Sequence, residues 1–87
     1  MSTTIGILGS GQLGRMLAIA AAQLGLATHV YAPDADGSPA GQVATTRTTA
    51  SYDDVGALRR FANSVDAVTS EFENVPAATM EVIGAIC

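Results

Sequence analysis

The stretch Ile5-Gly6-Ile7-Leu8-Gly9-Ser10-Gly11-Gln12-Leu13-Gly14 decides the fold of this 87-residue chain. An apolar run leads into closely spaced glycines, and apolar residues at helical spacing follow. Glycines allow a tight turn and a close approach of the backbone to a ligand, while the N–H groups at a helix N-terminus favour an anion. A strand before this pattern and a helix after it give the context that indicates a nucleotide-like ligand.

The rest of the chain alternates strands and helices around that turn. The expected elements are a helix marked by Leu13, Met16, Leu17, Ala20 and Leu24 that ends at Gly25, strands at Ala27–Tyr31, Ala44–Thr49 and Ala67–Ser70, a helical turn at Pro39–Ala44, a helix that buries Val55, Leu58, Phe61 and Ala62, and a closing helix with Val75, Thr79, Val82, Ile83 and Ile86. This alternation predicts an α/β fold: a Rossmann-like, doubly wound parallel sheet of about four strands with helices on both faces. The predicted strand order is 3-2-1-4, and no domain boundary is expected within residues 1–87.

Three further residues have structural interpretations. Ser51 is a candidate cap for the third helix, because Asp54 follows it at the spacing of a capping box. Met16 is expected to fill the core. His29 is expected to be a packed or edge histidine, since no Cys, Asp or Glu lies beside it at the spacing of metal ligands.

Composition limits the classes of partner. A net charge of −4 with four Lys plus Arg leaves no basic stripe, which argues against nucleic acid and against an anionic membrane surface. The single cysteine, Cys87, and the lack of a signal-peptide pattern favour a reducing cytoplasm. The residues show no catalytic group and no metal-ligand set. A chain this small gains from a partner surface, so a homodimer is one candidate assembly.

The ligand of such a sheet lies at the carboxyl ends of the strands, where the strand order reverses. Two segments are expected to meet there: the glycine loop after Leu8, and the segment Glu71-Phe72-Glu73-Asn74 after the fourth strand. Alternation along an extended segment places Glu71 and Glu73 on one side. Two carboxylates beside an anion-binding loop suggest a ligand that also carries hydrogen-bond donors.

The same two segments carry a family resemblance. Gly9–Met16 and Ser70–Pro76, with Asp66 and the loop 39–44, resemble the N-terminal pre-ATP-grasp domain of the 5-(carboxyamino)imidazole ribonucleotide synthases, the ATP-grasp carboxylases of purine biosynthesis. The resemblance runs through nearly the whole chain. It implies an ATP-dependent carbon–nitrogen ligase in which ATP activates bicarbonate and the amine of aminoimidazole ribonucleotide is carboxylated. It also implies that ATP and Mg²⁺ are bound by lobes outside residues 1–87, so that the isolated chain is inactive.

The resemblance assigns residues 1–87 a role in holding the small-molecule ribonucleotide. The implied substrate-binding residues are Gly9, Gly11, Gln12, Leu13, Glu71 and Glu73, with the amides of the loop toward phosphate or ribose and a carboxylate toward ribose hydroxyls or the amine. The alternative is a small NAD-binding regulatory module. Its support is Asp34, roughly 20 residues after Gly14, near the position of a ribose-binding acid. However, Asp34 follows Pro33 and is expected to lie beyond the end of the second strand.

Overall fold

The structure, a computed structural model, describes residues 3–70. Along the chain the elements are β1 (Thr4–Leu8), α1 (Gln12–Gln23), β2 (Ala27–Ala32), α2 (Pro39–Val43), β3 (Thr46–Thr49), α3 (Val55–Ser64) and β4 (Ala67–Ser70). The strands form one sheet in the order β3-β2-β1-β4, and every neighbouring pair is parallel. The predicted fold class and strand order are therefore confirmed. The predicted closing helix and Cys87 lie outside the described residues.

The central strand β1 is covered on both faces. Ile7 pairs with Val30 of β2, and both pack with residues of α1 and α2. The next pair, Leu8 with Tyr31, packs with α3 on the opposite face. Because successive side chains of a strand point to opposite faces, a strand between two helical layers needs an uninterrupted apolar sequence.

Close packing of α3 on the sheet depends on Gly6. A β-carbon at this position would lie 2.7 Å from Cζ of Phe61 and 3.0 Å from Cγ2 of Val65. Phe61 is only 1% exposed and packs within the core cluster on this face of the sheet. Gly6 thus lets the buried ring lie directly against β1.

Helix α1 packs on the sheet through small residues, which corrects one expectation. Its buried residues are Gly14, Ala18 and Ala21. Met16, expected in the core, is 64% exposed, and Leu24 is 77% exposed. The helix lies close to the sheet along its small side chains. Leu17 is partly buried against the same core cluster, whereas the other large apolar side chains of the helix and its C-cap are exposed: Leu13, Met16, Ile19 and Leu24.

The carboxyl end of α1 is closed by Gly25, as predicted. Gly25 has a φ of 79°, a left-handed conformation that L side chains rarely adopt. Its N–H donates to the carbonyl of Ala22 at 3.0 Å, and the N–H of Leu26 donates to the carbonyl of Ala21 at 2.9 Å. This pair of bonds is the Schellman motif, which satisfies carbonyls that the helix leaves open.

Helix α3 begins one residue after Asp54, not after Ser51. The Asp54 carboxylate accepts from the N–H of Ala57 at 3.0 Å and is the N-cap. The Ser51 hydroxyl instead accepts from the N–H of Asp53 at 3.1 Å, within the turn that precedes the helix. The expected cap at Ser51 was therefore wrong, because Asp54 stands directly before Val55, the first residue of the helix. Val55 was expected to be buried with Leu58, Phe61 and Ala62; at the helix N-terminus it is 45% exposed, whereas the other three are buried.

His29 is a packed histidine, as expected. Its two ring nitrogens lie 2.7 Å from the hydroxyls of Thr46 and Thr48 on β3, and its ring centroid lies 5.5 Å from that of Phe61. Burial lowers the pKa of His29 below its ordinary value. The histidine therefore has a role in joining β2 to β3.

Candidate functional site

The glycine loop leaves the sheet at the carboxyl end of β1. Gly9 follows the last residue of the strand with a φ of 115°, a conformation that requires glycine. Gly11 is the N-cap of α1 in an extended conformation, and α1 starts at Gln12. The loop and the first helical turn thus place Gly9, Gly11, Gln12 and Leu13 at the carboxyl end of β1, and their contact with a ligand stays a prediction.

Main-chain bonds attach this loop to the rest of the fold. The N–H of Gly9 donates to the carbonyl of Tyr31 at 3.0 Å, and the N–H of Ala40 donates to the carbonyl of Ser10 at 3.1 Å. Tyr31 is itself fixed, because its buried phenol donates to the carbonyl of Ser51 at 2.5 Å. Burial and then the carboxylate of Asp54 raise the pKa of Tyr31, which keeps this donor protonated.

A side-chain bond that sequence reasoning missed also holds the loop. The hydroxyl of Ser10, which is 8% exposed, donates to the carboxylate of Asp34 at 2.6 Å. Asp34 lies beyond the end of β2, as expected, at an exposed position in the loop before α2. The two residues are far apart in sequence, and no local pattern relates them.

The first turn of α1 supplies hydrogen-bond donors at this edge. The N–H of Arg15 donates to the carbonyl of Gly11 at 3.0 Å, and the amides of Gln12 and Leu13 lie before Arg15 in the first helical turn. Both residues are exposed. With the helix dipole, these amides suit a phosphate or the hydroxyls of a sugar.

The arrangement is suited to binding and positioning a ligand. Within residues 3–70 no group of three His, Cys, Asp or Glu side chains lies close enough to hold a metal ion. In the same part of the chain, no helix is long and apolar enough to cross a bilayer.

Strand β4 ends at the same edge as the glycine loop. Ser70, its last residue, pairs with Leu8, the last residue of β1. Glu71 and Glu73, the other expected site residues, lie outside the described residues, as does Asn74. Their meeting with the loop stays a prediction, to which the Leu8–Ser70 register gives a geometric basis.

Comparison with known proteins shows the family to which the chain belongs. Residues 1–86 match the family described as the ribonucleotide synthetase preATP-grasp domain. The chain belongs to this family. The resemblance found in Gly9–Met16 and Ser70–Pro76 is thereby confirmed.

Individual relatives agree with this assignment. The chain is 52% identical over 79 residues to the N5-carboxyaminoimidazole ribonucleotide synthase of Brucella melitensis, covering 91% of this chain and 22% of that protein. A solved N5-carboxyaminoimidazole ribonucleotide synthetase in complex with ADP superposes with a TM-score of 0.92 at 42% identity, over 99% of this chain and 22% of that one. The Aspergillus clavatus synthase, solved with ADP and 5-aminoimidazole ribonucleotide, gives a TM-score of 0.82 at 36% identity, over 98% and 23% of the two chains. The chain spans less than a quarter of the length of each of these three proteins.

Proposed function

We propose that this chain is the substrate-binding domain of an ATP-dependent carbon–nitrogen ligase that makes 5-(carboxyamino)imidazole ribonucleotide from aminoimidazole ribonucleotide, bicarbonate and ATP. The observation that carries the proposal is the position of the glycine loop. In a chain of this family, Gly9–Leu13 lies at the carboxyl end of the central strand, the edge at which open α/β sheets bind their ligands.

The role of the loop is to hold the ribonucleotide in place. The amides of Gln12 and Leu13 donate to its phosphate or ribose, and Glu71 or Glu73 accepts from ribose hydroxyls or from the amine. Fixing the amine beside the activated carbon increases the rate without proton transfer by this domain, because the reacting groups no longer have to find each other.

ATP and Mg²⁺ belong, in this proposal, to lobes outside residues 1–87. The sequence contains no lysine, since its four basic residues are Arg15, Arg47, Arg59 and Arg60. It therefore lacks the ammonium group that nucleotide-phosphate sites commonly use. Solved relatives in complex with ADP support a nucleotide site in the longer proteins. A cytoplasmic location and a homodimer are further parts of the proposal, open to cell fractionation and light scattering.

The alternative, a regulatory NAD-binding module, is not favoured. In that arrangement an acidic residue at the end of the second strand binds the ribose of the dinucleotide. Asp34 lies past the end of β2, and its carboxylate accepts a hydrogen bond from Ser10.

Steady-state kinetics of the full-length enzyme, meaning this chain joined to its ATP-grasp lobes, test the proposal. Gly11→Val places a branched side chain at the N-cap facing the ligand and should raise the KM for the ribonucleotide at least tenfold, with the KM for ATP unchanged. Gly56→Val is the matched control, because a β-carbon at Gly56 meets only ordinary contacts at 3.5 and 3.6 Å. An unchanged ribonucleotide KM for Gly11→Val, with the enzyme folded, would show that the loop is only a turn. The same assay on Glu71→Gln and Glu73→Gln ranks the two carboxylates.

A further inference from the structure

The link between Ser10 and Asp34 joins the glycine loop to the loop between β2 and α2. The donor is buried and the acceptor is an exposed carboxylate, at an O–O distance of 2.6 Å. Distances of about 2.5–2.7 Å are typical of hydroxyl-to-carboxylate bonds, which are roughly twice as strong as neutral ones. The bond therefore fixes the rotamer of Ser10 between the two glycines of the loop.

The link from Ser10 to Asp34 adds to main-chain attachments of the loop. The carbonyl of Tyr31 accepts a hydrogen bond from the N–H of Gly9, and the carbonyl of Ser10 accepts one from the N–H of Ala40. These bonds fix the start of the loop and one carbonyl on it. The Ser10 hydroxyl donates to Asp34 in the loop between β2 and α2. Ser10 itself lies two residues before Gln12, where α1 begins.

The Asp34 loop is itself braced at its far side. The N–H of Ala35 donates to the carbonyl of Ala32 at 3.3 Å, and the N–H of Ser38 donates to the carbonyl of Ala35 at 3.2 Å. The Ser38 hydroxyl also donates to the carbonyl of Ala35 at 2.7 Å and accepts from the N–H of Gly41 at 3.0 Å. Asp34 is thus a fixed point against which the glycine loop can be held.

We propose that Asp34 is a positioning residue for substrate binding: through Ser10 it holds the glycine loop so that the amides of Gln12 and Leu13 face the ribonucleotide. This inference rests on the proposed function of the loop. It gives Asp34 a role that does not require contact with the ligand. Loss of the link lets the loop move, so the ribonucleotide binds more weakly while the lobes that hold ATP are unaffected.

The test is a double-mutant cycle in the full-length enzyme. Ser10→Ala and Asp34→Ala should each raise the KM for the ribonucleotide by about three- to tenfold, with kcat and the KM for ATP within about twofold. The double variant should show no further increase, because either change alone already removes the bond. Asp34→Asn keeps an acceptor oxygen and should restore part of the affinity. Asp36→Ala is the matched control: this carboxylate, two residues on, forms an exposed ion pair with Arg47 at 3.2 Å and should leave the KM unchanged.

Three results would overturn the inference. These are an unchanged ribonucleotide KM in both single variants, strictly multiplicative effects in the double variant, or an equal rise in the KM for ATP. Gly11→Val, measured alongside, separates this failure from that of the proposed function. If Gly11→Val weakens the ribonucleotide while Ser10→Ala and Asp34→Ala do not, the loop binds substrate without help from Asp34. If Gly11→Val has no effect either, the loop does not bind the ribonucleotide.

Discussion

Gly41→Ala should destabilise the fold more than its single added methyl group suggests. A β-carbon at Gly41 would overlap the backbone carbonyl oxygen of Ala35 and lie 2.8 Å from the Ser38 hydroxyl oxygen. The carbonyl cannot rotate away, because it accepts hydrogen bonds from the N–H and from the hydroxyl of Ser38. Helix α2 would have to move away from the loop that precedes it.

The magnitude follows from two losses. Overpacking of a closely packed site costs about 1–3 kcal/mol. Displacement of α2 also weakens the N-cap bond from the N–H of Gly41 to the Ser38 hydroxyl, at a cost of about 0.5–2 kcal/mol. Together the free energy of unfolding should fall by about 2–4 kcal/mol, which lowers the melting temperature of a domain this size by about 10–25 °C. Thermal denaturation followed by circular dichroism measures this change.

Substitutions at two other glycines distinguish the cost of steric overlap from the cost of backbone strain. Gly37 has a φ of 78° with nothing within 4 Å of an added β-carbon, so Gly37→Ala should cost only about 1–2 kcal/mol of strain. Gly56→Ala has space and lies in a helix, so it should be neutral or stabilise by up to about 1 kcal/mol. The reasoning is refuted if Gly41→Ala melts within a few degrees of the wild type, or is no less stable than Gly37→Ala.

Two further predictions concern the helix cap and the buried histidine. Asp54→Ala should lower the free energy of unfolding, measured by urea denaturation, by about 0.5–2 kcal/mol. Ser51→Ala should change it by no more than about 0.5 kcal/mol. Equal effects of the two substitutions would contradict the assignment of Asp54 as the N-cap. Since burial lowers the pKa of His29 from 6.5, the unfolded chain binds more protons, and stability should fall as the pH drops through and below that value. His29→Gln should lose this part of the decline, and an identical pH dependence in both proteins would contradict the assignment.

Sequence periodicity located the elements better than it identified their buried sides. In α1 the large apolar residues recur at helical spacing, but so do Gly14, Ala18 and Ala21 on the neighbouring side. Hydrophobicity favours the larger set, whereas close approach of a helix to a sheet favours the smaller. The exposure of Met16 follows from the second effect.

The cap of α3 shows how a local pattern can fit two starting points. Ser51 and Asp54 both have capping side chains, and their spacing is that of a capping box. The apolar series begins with Val55, however, and the residue directly before it is the usual N-cap. The structure follows this second rule.

Part of the candidate site is encoded locally in the sequence, and part depends on contacts between distant residues. Gly9 and Gly11 could be predicted because a strand, a tight turn and a helix start are encoded within ten consecutive residues. The bond from Ser10 to Asp34 could not, because it depends on how two loops at the end of the sheet come together. The parallel pairing of β1 with β2 decides that meeting, since it brings the ends of both strands to one edge.

The site therefore takes its rigidity from the core beneath it. Tyr31 is fully buried against Phe61, with ring centroids 5.2 Å apart, and its carbonyl receives the N–H of Gly9. The residue that anchors the loop is thus held by the packing of α3 on the sheet, on the face opposite α1. A loop attached in this way can present its amides without first being ordered by the ligand, which reduces the entropy cost of binding. The partly buried link from Ser10 to Asp34 is a further attachment that lies outside this core cluster, and for that reason its removal should alter affinity more than stability.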